Sequence, residues 1–188
     1  MSNTFYNTAD GVNEYMKAAE GHNGQDLISE LEKWLPKNST ILEIGSGPGA
    51  DWQILSKHYE VTGSDNSDEF IRRLNLKFPD SNFLNLDAVT LNTNQEYNCI
   101  YSNKVLHHLR DEEIKQSVQN QNKCLTKNGL ICHSFWKGEG NEIFNGLFVN
   151  YHNQSDLPLI FKGYKILVMQ EYAEFEKNDS ILLIAQKE

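Results

Sequence analysis

The chain has 188 residues, 39% hydrophobic and 23% charged, with a formal net charge of -9. That length suits one domain with a continuous core, and the acidity disfavours a nonspecific grip on nucleic acid, which needs clustered Lys and Arg. No stretch reaches the roughly 20 apolar residues that cross a bilayer, and Met1 to Asp10 lacks an apolar signal core, so the expected setting is the cytoplasm, away from membranes.

The first 36 residues predict a helical cap. A weak helix covers Val12 to Ala19, Gly21 and Gly24 follow, and Leu27, Ile28, Leu31, Trp34 and Leu35 then recur at helical spacing until Pro36 ends the run. From Thr40 onward strands and helices alternate. Strands are expected at Thr40 to Ile44, Tyr59 to Gly63, Asn82 to Asn85, Tyr97 to Ser102 and Gly129 to Phe135. Helices are expected at Asp51 to His58, Ser67 to Lys77 and Asp111 to Leu125, the last opening on Asp111 and Glu112, where the helix dipole favours negative charge.

This alternation predicts an α/β fold with a mainly parallel sheet covered by helices on both faces. Residues 137–162 read as an insertion on the substrate side, in which Phe144, Phe148 and Tyr151 fall near one helical face. Gly163 to Glu171 and Ser180 to Gln186 are two strands whose connection is too short for a crossover helix, so they should pair as an antiparallel hairpin at the sheet edge. Without a repeat or long linker, residues 1–188 read as one domain. Cys99, Cys124 and Cys132 show no metal or redox spacing and read as small buried hydrophobes in a reducing compartment.

Function concentrates in Ile41-Leu42-Glu43-Ile44-Gly45-Ser46-Gly47-Pro48-Gly49-Ala50. An apolar strand breaks into a glycine turn that lets a ligand approach the backbone at a helix start. Asp65, 20 residues beyond Gly45, should stand at the tip of the next strand, where a carboxylate can accept both hydroxyls of a ribose. Gly45, Gly47 and Ala50 formally satisfy a dinucleotide fingerprint. Glu43 would repel a pyrophosphate, however, and Pro48 removes an amide from the turn that would cradle one.

With Glu43-x-Gly45-x-Gly47-x-Gly49 as its first motif, the sequence from Tyr6 to Lys187 resembles the class I S-adenosylmethionine-dependent methyltransferases, in particular small free-standing members acting on metabolites. The resemblance implies a Rossmann-like seven-stranded sheet of order 3-2-1-4-5-7-6 with an antiparallel terminal strand, and S-adenosyl-L-methionine as cofactor. Gly45, Ser46, Gly47 and Gly49 would lie against the amino-acid part of that cofactor, with Glu43 beside its ammonium group. Asp65 would hold the ribose and Asn66 would lie beside the adenosine. In Asn85-Leu86-Asp87-Ala88, Asp87 would take the adenine amino group and Ala88 would offer its amide.

Tyr101-Ser102-Asn103-Lys104-Val105-Leu106-His107-His108-Leu109 resembles the segment after the family's fourth strand, placing Ser102 and Asn103 beneath the methionine moiety and His107 or His108 near the cofactor. It lacks the Asn/Asp-Pro-Pro-Tyr/Phe signature of amino-directed nucleic-acid and protein-glutamine methyltransferases. Nor is the family's acidic helix after the third strand well marked, since Asp87 is followed by Ala88, Val89, Thr90 and Leu91.

Outside these motifs, Tyr15 and Tyr6 come from the cap and would fold over the methionine end and the substrate. His133 and Trp136 end the fifth strand, on the side where open α/β sheets place ligands; His133 is balanced between a structural and a substrate role. Tyr151 and His152 belong to the insertion, and His152 could titrate near neutral pH. No metal site is expected. The composite expectation is methyl transfer to a small molecule by a monomer or homodimer. Its alternatives are a noncatalytic nucleoside-binding or regulatory protein of the same fold, or a nicotinamide-dependent reductase.

Overall fold

A computed structural model describes residues 8–144 and 146–188. Its elements, in chain order, are α1 Ala9–Ala18, α2 Gln25–Leu31, β1 Thr40–Ile44, α3 Ala50–Leu55, β2 Glu60–Asp65, α4 Asp68–Lys77, β3 Asn82–Asn85 and β4 Tyr97–Asn103. A 3-10 turn Leu106–His108 follows, then α5 Asp111–Cys124, β5 Leu125–Trp136, β6 Asn141–Phe144, β7 Leu147–Asn150, α6 Leu157–Ile160, β8 Tyr164–Tyr172 and β9 Ser180–Lys187. Tyr6 lies outside the described residues.

The main sheet has seven strands in the order β3-β2-β1-β4-β5-β9-β8, which is 3-2-1-4-5-7-6 once β6 and β7 are set aside as a separate pair. β1 pairs in parallel with β2 and β4, β2 with β3, and β4 with β5. β9 pairs antiparallel with both β5 and β8. The four consecutive buried residues of β1 after Thr40 reflect a strand covered on both faces.

Local chemistry sets the element ends. Thr8 caps α1 by accepting from the Gly11 amide, and Ser67 caps α4 by accepting from the Phe70 amide at 3.2 Å. Glu113 reaches back to the Arg110 amide at the head of α5. One buried face of the sheet joins Leu42, Ile100, Ile131, Ile181 and Leu183 to Ile114 and Val118 of α5. The other joins Ile41, Cys99, Cys132 and Ile184 to Leu27, Ile28 and Leu31 of α2. Each large apolar side chain among them stabilises the fold by about 1.5–3 kcal/mol relative to exposure, and together they hold the strand ends that carry the site.

Two expectations need correction. Residues 141–144 and 147–150 pair as antiparallel strands, with Ile143 opposite Phe148 and Phe144 opposite Leu147, rather than forming a helix face carrying Phe144, Phe148 and Tyr151. The competing signal was Asn145-Gly146, the strongest short hairpin dipeptide, and Gly146 has φ 78°. β5 also begins four residues early, directly after α5, with a register shift against β4 between the Tyr97 and Cys99 pairings. Asn128 at φ 61° precedes Gly129 there, so the irregularity hid the first residues of the strand from a period-two reading.

Candidate functional site

The carboxyl ends of β1 and β2 meet through a compact hydrogen-bond unit. Ser46 donates its hydroxyl to the Glu43 carboxylate at 2.7 Å and accepts from the Ser64 amide at 3.1 Å. The Ser46 amide donates to the Ser64 carbonyl at 2.8 Å, tying the glycine turn to β2. One oxygen of Asp65 accepts the Gly47 amide at 3.0 Å and the other accepts the Ser67 amide at 2.9 Å. Each Asp65 oxygen retains acceptor capacity, because a carboxylate has about four lone-pair sites.

Backbone conformation explains the glycines. Gly45, Gly47 and Gly49 have φ of 72°, 50° and 80°, a region that side chains disfavour. A Cβ on Gly45 would come within 2.5 Å of Val105, so the turn and the loop after β4 are packed directly together. Above Gly47 there is more room: among the described residues, such a Cβ would meet the Tyr15 ring alone, at 3.7 Å.

Electrostatically, this end is acidic. Glu43 is 2% exposed, and burial, followed by the charge of Asp51, pushes its carboxyl up to about 8, against the opposing bond from Ser46. Asp65 is also raised, first by burial, with the amides of Ser67, Gly47 and Asn66 pulling the other way. Burial and the charges of Asp65 and Asp51 raise the Tyr15 hydroxyl, which places α1 against the same carboxylates. Tyr15 meets Phe70 edge-on at 5.8 Å.

Asp51, which is not among the residues expected from sequence, is the connecting residue. From the first turn of α3 it accepts the Gly24 amide at 2.6 Å, the Tyr101 hydroxyl at 2.7 Å and the Asn103 amide group at 3.1 Å. A single carboxylate therefore joins the head of α2 to β4. Its cue was the position immediately after Ala50, but an acidic residue in a first helical turn is ordinarily read as dipole compensation. Gly24 is fixed by the same contact, since a Cβ there would collide with the Tyr101 hydroxyl.

The other expected residues divide by location. Asn66 is exposed beside Asp65. Asp87 turns one oxygen to the Val89 and Thr90 amides at 3.0 and 2.9 Å, capping the loop after β3, and the Ala88 carbonyl accepts from Ser117. Asn103 also accepts from Ser134 at 2.6 Å. Ser102 is fully buried and bonded to His133 Nδ1 at 2.8 Å, while His133 Nε2 meets Gln121 at 2.8 Å. His133, 0% exposed with both ring nitrogens engaged, is a core residue held neutral because burial depresses its pKa to about 3; the substrate-facing expectation for it gives way to this packing.

His107 is 3% exposed and, among the described residues, its buried Nδ1 has no partner. Burial and then neighbouring His108, Lys104 and His152 keep it far below the ordinary histidine range. Its ring lies 3.9 Å from that of His108 and 6.3 Å from Trp136, centroid to centroid. His108 Nδ1 meets the Phe148 carbonyl at 2.8 Å, attaching the β6–β7 hairpin to this loop. His152 is buried, with Nε2 3.3 Å from Asp111. Tyr151 instead bonds Glu142 on the hairpin and does not join the histidines.

Lys104, to which the sequence motif assigns no role, has φ 53°. Its ammonium reaches the Ser180 hydroxyl, the Phe135 carbonyl at 3.4 Å and Glu174 at 3.7 Å, and lies 3.5 Å from the Trp136 ring centroid. Burial lowers its pKa to about 8 despite Glu174 and Asp179. A separate cleft of about 580 Å³ lies at the opposite, amino-terminal end of the sheet, lined by Thr40, Glu60, Asn82 and Tyr97 among others; it is remote from all these residues. Among the described residues no His, Cys, Asp and Glu group of three or more is arranged for a metal ion, and no helix is long and apolar enough to cross a membrane.

A family profile described as a methyltransferase domain matches residues 41–129. Trans-aconitate 2-methyltransferase of Rhodopseudomonas palustris is 33% identical over 63 residues, a match spanning 32% of this chain and only 24% of that protein's length. The Burkholderia thailandensis 1,6-didemethyltoxoflavin-N1-methyltransferase, solved with 1,6-didemethyltoxoflavin and S-adenosylhomocysteine, superposes with TM-score 0.78 at 14% identity, covering 95% of this chain and 86% of that one. Magnesium protoporphyrin IX methyltransferase of Synechocystis, solved with S-adenosylmethionine, gives TM-score 0.75 at 15% identity and covers 98% of this chain and 94% of that one.

Proposed function

We propose that this chain, which has the class I S-adenosylmethionine-dependent methyltransferase fold, transfers a methyl group from S-adenosyl-L-methionine to a small-molecule nucleophile. The observation that carries the reading is the unit Glu43–Ser46–Gly47–Asp65: two carboxylates and a left-handed glycine turn fixed by hydrogen bonds at adjacent strand ends. The residues fit the cofactor. Glu43 is buried in acidic company, suited to an ammonium or sulfonium, and Gly47 leaves room above the turn. The same acidity opposes a dinucleotide pyrophosphate, which supports this reading over a nicotinamide enzyme.

Asp65 would hold the ribose, with Asn66, Asp87 and Ala88 around the adenosine. Glu43, Gly45, Ser46, Gly47, Gly49 and Asn103 would position the amino-acid portion, with Tyr15 over it, and Ser102 would support that floor from the core. When bound, the cofactor supplies a methyl group on a positively charged sulfur, so the transfer neutralises charge. The chain's own task is alignment and exclusion of water. His107, held neutral by burial, packs within the loop after β4, and a thiolate or amine acceptor needs no general base.

Of the expected cap and insertion, the described residues 8–36 would cover the donor, and residues 137–144 and 146–162, with Trp136 and His152, would flank the acceptor. The three free, buried cysteines suit a reducing cytoplasmic setting for a monomer or homodimer. Calorimetric titration with S-adenosylmethionine and S-adenosylhomocysteine tests the proposal: saturable one-to-one binding of both is expected, and binding of neither sinks it.

A further inference from the structure

Lys104 sits between β4 and the 3-10 turn in a backbone conformation that few side chains adopt. Among the described residues, five residues other than glycine have positive φ, and three of them are asparagines, which tolerate that region. Leu91 and Lys104 are the other two, and Lys104, at φ 53°, immediately precedes Val105. Val105 is the residue seated on the glycine turn. Its side chain fills the place where a Gly45 Cβ would stand, with its two methyl carbons 2.5 and 2.9 Å from that position. The residue with the disfavoured backbone and the residue that packs the turn are therefore neighbours in the chain.

Both ends of Lys104 are fastened outside its own loop. Its amide donates to the Ser134 hydroxyl of β5 at 2.9 Å, and that hydroxyl donates in turn to the Asn103 side-chain oxygen at 2.6 Å. Its ammonium donates to the Phe135 carbonyl at 3.4 Å and to the Ser180 hydroxyl at the head of β9. The same ammonium lies 3.7 Å from Glu174 and 3.5 Å from the Trp136 ring centroid. The Lys104 side chain is 13% exposed, so these contacts are made largely out of water, where hydrogen bonds and cation–ring attractions are stronger. A left-handed backbone at a residue with a Cβ persists only where its surroundings over-determine it. Here the bond to Ser134 and the ammonium contacts supply that constraint.

We infer that Lys104 is a positioning residue for methyl transfer: its anchored ammonium holds the backbone left-handed and so keeps Val105 pressed on Gly45 and the donor turn in its binding shape; this rests on the methyl-transfer reading. Lys104 acts through Val105 rather than on the cofactor. The test compares Lys104→Met, which keeps the apolar stem and loses the ammonium, with Lys104→Gly, which loses the side chain but adopts positive φ freely. Calorimetry with S-adenosylhomocysteine should show Lys104→Met binding about 10-fold weaker than the parent protein and Lys104→Gly within about threefold of it. Urea unfolding should rank the two the other way, because only Lys104→Gly removes the buried methylenes of the stem. A role confined to stability gives one order in both measurements and overturns the inference.

A double-mutant cycle tests the route through Val105 independently of the glycine variant. Val105→Ala should weaken binding about fivefold alone, and less than about twofold when added to Lys104→Met, since residues acting through one contact are not additive. Unchanged affinity in Lys104→Met, Lys104→Gly binding as weakly as Lys104→Met, or additive losses in the cycle overturns the role of Lys104 alone. Failure of the parent protein to bind S-adenosylhomocysteine overturns the methyl-transfer reading and this inference with it.

Discussion

Around Glu43 and Asp65, the contacts that shape the site are hydrogen bonds within two adjacent strand ends and the turn between them. Around Trp136, by contrast, the shaping contacts are ring against ring or ammonium against ring, and they come from residues as far apart in sequence as His22, Lys104 and Phe175. The proposed donor end is thus fixed by short-range backbone geometry, and the proposed acceptor end by tertiary packing. A hydrogen-bonded strand tip tolerates little change, because an unmet buried group costs about 1–3 kcal/mol. A stacked wall can exchange one ring for another at a cost of about 1 kcal/mol.

The severest challenge to this division is Asp51→Ala, because Asp51 serves both ends. Losing it strands the Tyr101 hydroxyl and frees the Gly24 amide, so urea unfolding should show a loss of about 2–4 kcal/mol; an unchanged midpoint would mean that the two ends are not coupled through it. Asp65→Ala comes next and belongs to the donor end alone. Calorimetry should show S-adenosylmethionine affinity reduced about 100-fold, with a stability loss of about 1–3 kcal/mol from the stranded Gly47 and Ser67 amides. A normal dissociation constant would remove Asp65 from the ribose.

Glu43 gives a pH signature. Its carboxyl titrates near 4.5 when unfolded and at about 8 when folded, so across that window the native protein keeps a proton the unfolded chain has released. Stability should therefore fall as pH rises from 4.5 to 8 and level off above. Over about pH 5 to 8 the parent protein should lose roughly 1–3 kcal/mol more than Glu43→Gln, read from paired denaturation curves; parallel losses would place the carboxyl in a wetter site. The smallest effect is expected at Phe144→Ser on the hairpin, where the ring is 59% exposed. Stability should change by about 0.5 kcal/mol or less and cofactor affinity should not move. A lost affinity there would show that the hairpin reaches the donor end.

The same division explains what could be read from the chain. β1, β3 and the β8–β9 hairpin were visible because their apolar runs are short and bounded by turn residues, and the strand order followed from the family pattern around Glu43 to Gly49. Gly45, Gly47 and Asp65 were legible because a left-handed turn and a strand-tip carboxylate demand those residue types at that spacing. Asp51 was not, since an acidic first-turn residue has an ordinary explanation in the helix dipole. Nor were Lys104 and Phe175, whose partners are set by which strand ends the fold brings together. In residues 141–150, aromatics at near-helical spacing outweighed Asn145-Gly146, although the dipeptide carried the more specific geometric demand.

The reversal of β9 has a practical consequence. Because β9 runs against β5, its first residue, Ser180, lies beside the last residue of β5, Trp136. A strand running with β5 would have begun at the far end of the sheet, and its preceding turn with it. The reversal delivers residues 173–179 to the carboxyl end of β5 without a crossover helix. That segment is accordingly an exchangeable element: turns of other length can join the same two strand ends while the pairing of β1 with β2 is inherited unchanged.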